Sequence, residues 1–184
     1  MPSPGSIKGR SSSITAAFVQ AIVPTIEPTE RDVDDALAAL GMRRGECRCA
    51  YCGDPTTEWD HFRPLVTAKR PTGYITEIAN LVPACGKCNQ SKGNKSWKIW
   101  IRSDARRSPA VRQVPDLDGK IRRLEEFERW RTPTKIDFEK EVGPEFWRIH
   151  WENLARFFSL MDECETHARA LRQKIDENRA NKTL

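Results

Sequence analysis

The sequence predicts an α+β protein: a small metal-stapled core of short strands and one helix, flanked by N- and C-terminal helical segments. Three observations predict it. Two Cys-x-x-Cys pairs, Cys49–Cys52 and Cys85–Cys88, enclose short β-like runs. Apolar residues recur at helical spacing on both sides of that block. Turn-forming Gly and Pro punctuate the block and thin out in the C-terminal half.

The 184 residues suit one domain, or a small core with flanking elements. No stretch approaches the roughly 18 apolar residues of a membrane span, and no apolar leader follows Met1, so the expectation is a cytoplasmic protein without membrane contact. The net charge of +5 is uneven. Residues 60–112 carry 11 basic and 3 acidic side chains, whereas residues 1–59 and 113–184 are each slightly acidic. A localised basic block is the electrostatic footprint of a polyanion partner.

Residues 1–13 are rich in Ser, Gly and Pro and read as mobile. Ile14–Val23 reads as a short helix stopped by Pro24. Thr29 is the N-cap of a second helix, with an acidic first turn, an apolar face of Val33, Ala36, Leu37 and Leu40, and Gly41 as its stop. Thr56–Val66 and Leu81–Pro83 are the strand candidates, with Lys69–Tyr74 as a loop. A helix begins near Gly86, and Trp97, Trp100 and Ile101 continue helical packing. Ile121, Leu124, Phe127 and Trp130 mark another helix. From Pro144 a long one carries Trp147, Trp151, Leu154, Phe157, Phe158, Met161, Leu171 and Ile175, and its apolar stripe leaves room for a homodimer through the C-terminal helices. The organisation expected is 1–45 as arm and helices, 46–101 as core, and 102–184 as a helical region.

A Cys-x-x-Cys turn aims two sulfurs at one centre, and two such turns complete a tetrahedral Zn²⁺ site. Gly53 and Gly86 beside the pairs suit tight knuckles. Between Cys52 and Cys85 lie 32 residues, enough for an inserted hairpin. Cys47 is an imperfect competitor for Cys49, and Cys164 reads as a buried thiol. Four Cys close the shell, so this zinc is structural and any chemistry lies elsewhere.

The inserted segment holds Asp60 and His61, adjacent on a strand and so directed to opposite faces. It is followed by Asn80-Leu-Val-Pro-Ala-Cys85 and Cys88-Asn-Gln-Ser-Lys-Gly93. Together with Cys49-x-x-Cys52 and Asp60-His61-x-x-Pro64-Leu65, these motifs resemble the HNH, or ββα-metal, endonucleases over about residues 47–95, with Asn89 where other members carry His. The resemblance implies a metal-dependent endonuclease acting on double-stranded DNA. His61 would be the general base, Asp60 and Asn89 the ligands of a catalytic Mg²⁺ or Mn²⁺, and Asn80 the residue that orients the His61 loop and imidazole. Cys49, Cys52, Cys85 and Cys88 would hold the structural zinc. An imidazole with an ordinary pKa of about 6.5 suits proton abstraction near neutrality, and an oxygen-seeking ion suits a carboxylate and an amide. Arg63, Lys69, Arg70, Lys87, Lys92, Lys95 and Lys98 crowd the motif as candidate phosphate contacts. The size suits a small type II restriction enzyme. The reading from another class is a noncatalytic zinc module that binds nucleic acid.

Overall fold

The computed structural model describes residues 5–56 and 58–181. They fall into two compact units: residues 22–136, and the described parts of 1–21 and 137–184.

In the first unit, α2 (Glu30–Ala39) follows α1 (Ser11–Gln20) of the second unit in chain order. Thr29 caps α2 in both directions. Its hydroxyl accepts from Asp32 N at 3.2 Å, and the Asp32 carboxylate accepts from Thr29 N at 3.1 Å. Gly41, at φ +68°, reverses the chain after α2, as only glycine does without strain. Ala36, Leu37 and Leu40 are buried, and α2 packs on α5 (Leu117–Trp130). Asp116 caps α5 by accepting from Gly119 N. A Cβ at Gly119 would collide with the Asp116 carboxylate, so a larger residue there would displace the cap.

The central hairpin pairs β1 (Glu58–His61) antiparallel with β4 (Leu81–Ala84), with Asp60 opposite Val82 and His61 opposite Leu81. β4 runs directly into α3 (Gly86–Lys92), completing a strand–strand–helix unit. Of the strand predicted over 56–66, Thr57 lies outside the described residues, and pairing stops at His61. Phe62 N still donates to Asn80 O at 2.8 Å in register with the ladder, but Arg63 N donates to the Asn80 side-chain Oδ1 at 2.8 Å, and there the chain bends away. Within the predicted loop, β3 (Arg70–Pro71) pairs with β2 (Val66–Thr67) through a tight turn at Ala68 and Lys69, both at positive φ.

The core of this unit gathers around Phe62. Its ring stacks on Trp97 at 5.1 Å and meets Phe127 edge-on at 5.3 Å. Leu40, Val82, Trp100, Ile101 and Leu124 close around this cluster, with α4 (Trp97–Trp100) supplying both tryptophans. The ends of β1 and β4 are thereby anchored on one packed layer.

The second unit contains α1, a 3-10 turn at Lys8–Arg10, α6 (Phe138–Val142) and α7 (Pro144–Ala180). At 37 residues, α7 extends about 55 Å. Its buried seam is Trp151, Leu154, Met161 and Glu165. Residues 1–4 lie outside the described residues, but 5–13 are more ordered than their composition predicts. The Glu165 carboxylate accepts from Ile7 N at 2.6 Å and Lys8 N at 3.3 Å, and these bonds hold its carboxyl below the usual range against the opposing effect of burial. Cys164 is exposed, contrary to the expectation of a buried thiol, because it lies beside the seam rather than in it.

Candidate active site and metal centre

Residues 49–54 form a knuckle whose end is closed by Gly53 N donating to Cys49 O, and Cys49 N to Asp54 O, both at 2.8 Å. Gly53 takes φ +82° to make that turn. At the start of α3, Cys88 N and Asn89 N both donate to Cys85 O at 3.0 Å, which turns the second pair of sulfurs toward the first. The Sγ atoms of Cys49, Cys52, Cys85 and Cys88 lie within 4.8 Å of one another, and those of Cys52 and Cys85 are 3.7 Å apart. A tetrahedral ion with metal–sulfur bonds of about 2.3 Å has edges of about 3.8 Å, so the cluster fits zinc. Cys47 is not part of it; its thiol lies 3.6 Å from Arg43 O.

Four buried sulfurs this close form a closed donor set, and as thiolates they would need a divalent cation among them. Arg112 adds one positive charge from outside: Nη1 donates to Cys88 Sγ at 3.4 Å and Nη2 to Asp54 Oδ2 at 2.7 Å.

One hydrogen bond ties this centre to the hairpin. Tyr51, between two of the clustered cysteines, is fully buried and donates its hydroxyl to Asp60 Oδ2 at 2.6 Å. On the other side of Asp60 stands Lys92, also fully buried. Its Nζ lies 3.0 Å from Asp60 Oδ2 and 3.3 Å from Oδ1, and donates to His61 O at 2.7 Å. Burial raises the Asp60 carboxyl and lowers the Lys92 ammonium, and their mutual attraction opposes both shifts. The carboxylate is thus clamped from the knuckle and from α3.

His61 turns the other way, as alternation on a strand requires. Its Nε2 is 2.9 Å from Thr76 Oγ1. Thr76 is itself fixed, because its N donates to Pro24 O at 3.0 Å and its O accepts from Ile26 N at 2.9 Å. Burial, and then the charge of Lys92, lower the His61 pKa to about 4, so the ring is neutral at pH 7.

Asn80 is fully buried and grips the backbone that follows His61. Oδ1 accepts from Arg63 N at 2.8 Å, and Nδ2 donates to Arg63 O at 3.1 Å. It holds the loop, whereas the hydrogen bond to the ring comes from Thr76. Asn89 is half-buried on α3, and no hydrogen bond engages its amide among the described residues. It lies one helical turn before Lys92, so the face of α3 that carries it is turned toward β1.

Two residues expected at a phosphate backbone are elsewhere. Lys92 is sealed against Asp60 and cannot meet a strand. Arg63 is mostly buried, with its guanidinium 5.4 Å from the Phe62 ring centre, 5.8 Å from that of Tyr74, and 3.7 Å from the Glu128 carboxylate. Lys69, Arg70, Lys87 and Lys95 are exposed. Tyr51, Thr76 and Arg112 had no signal in the sequence beyond their closeness to the motifs. Lys92 had one, its place in the Asn89-x-x-Lys92-Gly93 run, but lysine is so seldom buried that exposure was the natural reading.

Residues 49–95 match the HNH endonuclease family model. The chain is also similar to the CRISPR-associated endonuclease Cas9 of Corynebacterium diphtheriae, at 33% identity over 106 residues. That match covers 54% of this chain and 9% of the Cas9 chain. No solved structure matches.

Proposed function

We propose that this chain is an HNH nuclease that hydrolyses phosphodiester bonds in double-stranded DNA, with residues 46–101 as its reactive core. The observation that supports this best is the divergence of Asp60 and His61. One side chain is clamped within the protein, and its neighbour is held neutral on the opposite face of the same strand.

His61 is the general base. That role requires the tautomer in which Nε2–H donates to Thr76 Oγ1 and the lone pair resides on Nδ1; burial keeps the ring unprotonated in the neutral range. Asn80 holds the bend that starts immediately after it. Asp60 and Asn89 would hold a Mg²⁺ or Mn²⁺ ion, and their oxygen donors suit such an ion. Asp60 Oδ2 accepts from Tyr51 and is ion-paired with Lys92, Oδ1 accepts from Lys92 alone, and no hydrogen bond engages the Asn89 amide among the described residues. One lone pair of Oδ1 therefore stays available. When bound, the ion supplies positive charge to the scissile phosphate and the departing oxygen. The zinc at Cys49, Cys52, Cys85 and Cys88 does no chemistry; it fixes the knuckle from which Tyr51 reaches Asp60. A type II restriction role, and pairing of two chains to cut both strands, belong to the same proposal. The latter draws on the exposed Phe146, Phe157, Leu160, Leu171 and Ile175 of α7.

The test is plasmid cleavage in Mg²⁺ or Mn²⁺. His61→Ala should lower the rate by about 10²–10⁴, the usual contribution of a general base, with an unchanged melting temperature and DNA affinity. Cleavage at the wild-type rate by that variant would sink the mechanism. A wild-type chain that holds zinc and DNA but never cuts would be the noncatalytic module instead. Sequencing the fragment ends addresses the restriction role, and sedimentation on DNA addresses the dimer.

A further inference from the structure

A second basic feature lies away from His61. The end of α2, the Cys49–Gly53 knuckle and the first turns of α5 enclose a cleft of about 440 Å³. Its charged lining is Arg43, Arg48, Lys120 and Arg123 against the single carboxylate of Glu46. Small-molecule pockets are mainly apolar with a few polar groups, whereas charged side chains supply nearly half of this lining, beside Leu40, Met42 and Ala50. Glu46 is taken by Arg43 at 2.8 Å, and Arg123 reaches Asp116 at 3.4 Å. Arg48 and Lys120 have no ion-pair partner among the described residues. The Arg48 backbone is fixed by a bridge to Pro55, and the Lys120 ammonium lies beside Gly53 of the knuckle.

Like charges gathered in one concavity repel, and an entering anion relieves that repulsion. The cations come from two segments distant in sequence, 43–48 and 120–123, and line an open cleft rather than an enclosed cavity, which suits a polyanion more than a single small anion. We propose that this cleft binds the phosphodiester backbone of a nucleic-acid strand, as a second contact beyond the reactive hairpin. The proposal deepens the nuclease reading and rests on it for the choice of nucleic acid as ligand. The sequence hides the site: its residues come from the two blocks, 1–59 and 113–184, that are each slightly acidic.

The experiment compares the full chain with Arg48→Gln/Lys120→Gln, without added Mg²⁺ or Mn²⁺, by fluorescence anisotropy on a labelled duplex of about 30 base pairs at several salt concentrations. Loss of two phosphate contacts should weaken binding about tenfold at 0.1 M salt and reduce the slope of log affinity against log salt by about 2. Arg31→Gln/Arg129→Gln removes the same charge elsewhere on the surface and should change both much less. Melting temperature and zinc content verify that each variant is folded, and Arg48→Ala alone gives a milder variant with about half the slope change. Equal losses in the two double variants, or an unchanged slope in folded Arg48→Gln/Lys120→Gln, overturn the proposal. So does inorganic phosphate that stabilises only the wild type while DNA affinity stays unchanged, since the cleft would then be a small-anion site. If the wild type never cuts DNA but the slope change is seen, the cleft stands and the nuclease reading fails. If the wild type cuts and the variant binds normally, the reverse holds.

Discussion

The four-cysteine centre and the Asp60–His61 site lie on the same hairpin-and-helix unit, yet they are built on opposite principles. The first uses four identical ligands from two local turns, all buried and aimed inward, so that a tetrahedral ion has no place left for a substrate. The second gathers Asp60 and His61 of β1, Asn80 before β4 and Asn89 of α3. Among the described residues it leaves one Asp60 lone pair, the Asn89 amide and Nδ1 of a His61 ring otherwise bonded to Thr76 without a hydrogen-bond partner. The closed centre supplies rigidity, the uncommitted one has groups left to react, and Tyr51 joins them through a single 2.6 Å hydrogen bond. A unit of about 50 residues buries too little apolar surface to hold catalytic geometry alone, which is a physical reason for a metal-binding cluster to stand beside the proposed site.

Perturbing the two centres should therefore fail in different ways. The largest effect is expected from Cys85→Ser or removal of zinc by a chelator. Binding of a structural zinc contributes about 10–16 kcal/mol in small domains, so residues 22–136 should lose cooperative unfolding, as followed by circular dichroism with zinc release measured in parallel. A sharp, unshifted melt would remove the distinction between the centres.

Next is Lys92→Met. It strips the buried Asp60 of its counter-charge, which costs about 3–5 kcal/mol where a buried pair is broken. The denaturant midpoint should fall while zinc remains bound. If Lys92 instead behaved as an exposed phosphate contact, stability would hold and only the salt dependence of DNA binding would change.

Tyr51→Phe sharpens the comparison at the point where the centres meet. Removing a hydrogen bond to a charged acceptor costs about 1.5–3 kcal/mol. Zinc content should be unaffected, and cleavage should need more Mg²⁺ or Mn²⁺ because Asp60 loses one of its two clamps. Equal metal dependence in Tyr51→Phe and wild type would show that the two centres are independent.

The smallest effect is expected outside both centres. Thr29→Ala removes the cap of α2 and should cost about 1 kcal/mol. Bonds from Thr29 and Arg131 hold the Asp32 pKa at about 2, below its ordinary 3.8. A depressed carboxylate stabilises above its unfolded pKa and loses that contribution as pH falls through its folded one. The stability gap between wild type and Asp32→Asn should thus be full above about pH 4 and close toward pH 2. A gap that did not change with pH would assign the effect to helix propensity.

Much of this molecule was determined by local chemistry and so was legible in the chain. The ligand set Cys49, Cys52, Cys85 and Cys88 follows from spacing, because a knuckle turn needs only a few consecutive residues. The opposed directions of Asp60 and His61 follow from strand alternation, and the start of α2 from the capping chemistry of Thr29. Partners far apart in sequence were not legible. The run around Lys92 marks it as part of the motif but does not tell that its ammonium is sealed against a carboxylate 32 positions earlier, since only the tertiary packing of the two removes water from both. Thr76 became the partner of His61, and Arg112 that of Cys88, through the closing of long loops. The cleft around Arg48 and Lys120 joins two segments whose own charge is slightly negative. Residue type and short spacing specified which groups can do chemistry; burial and long-range juxtaposition, properties of the assembled chain, selected which of them are held, which are hidden and which are left to react.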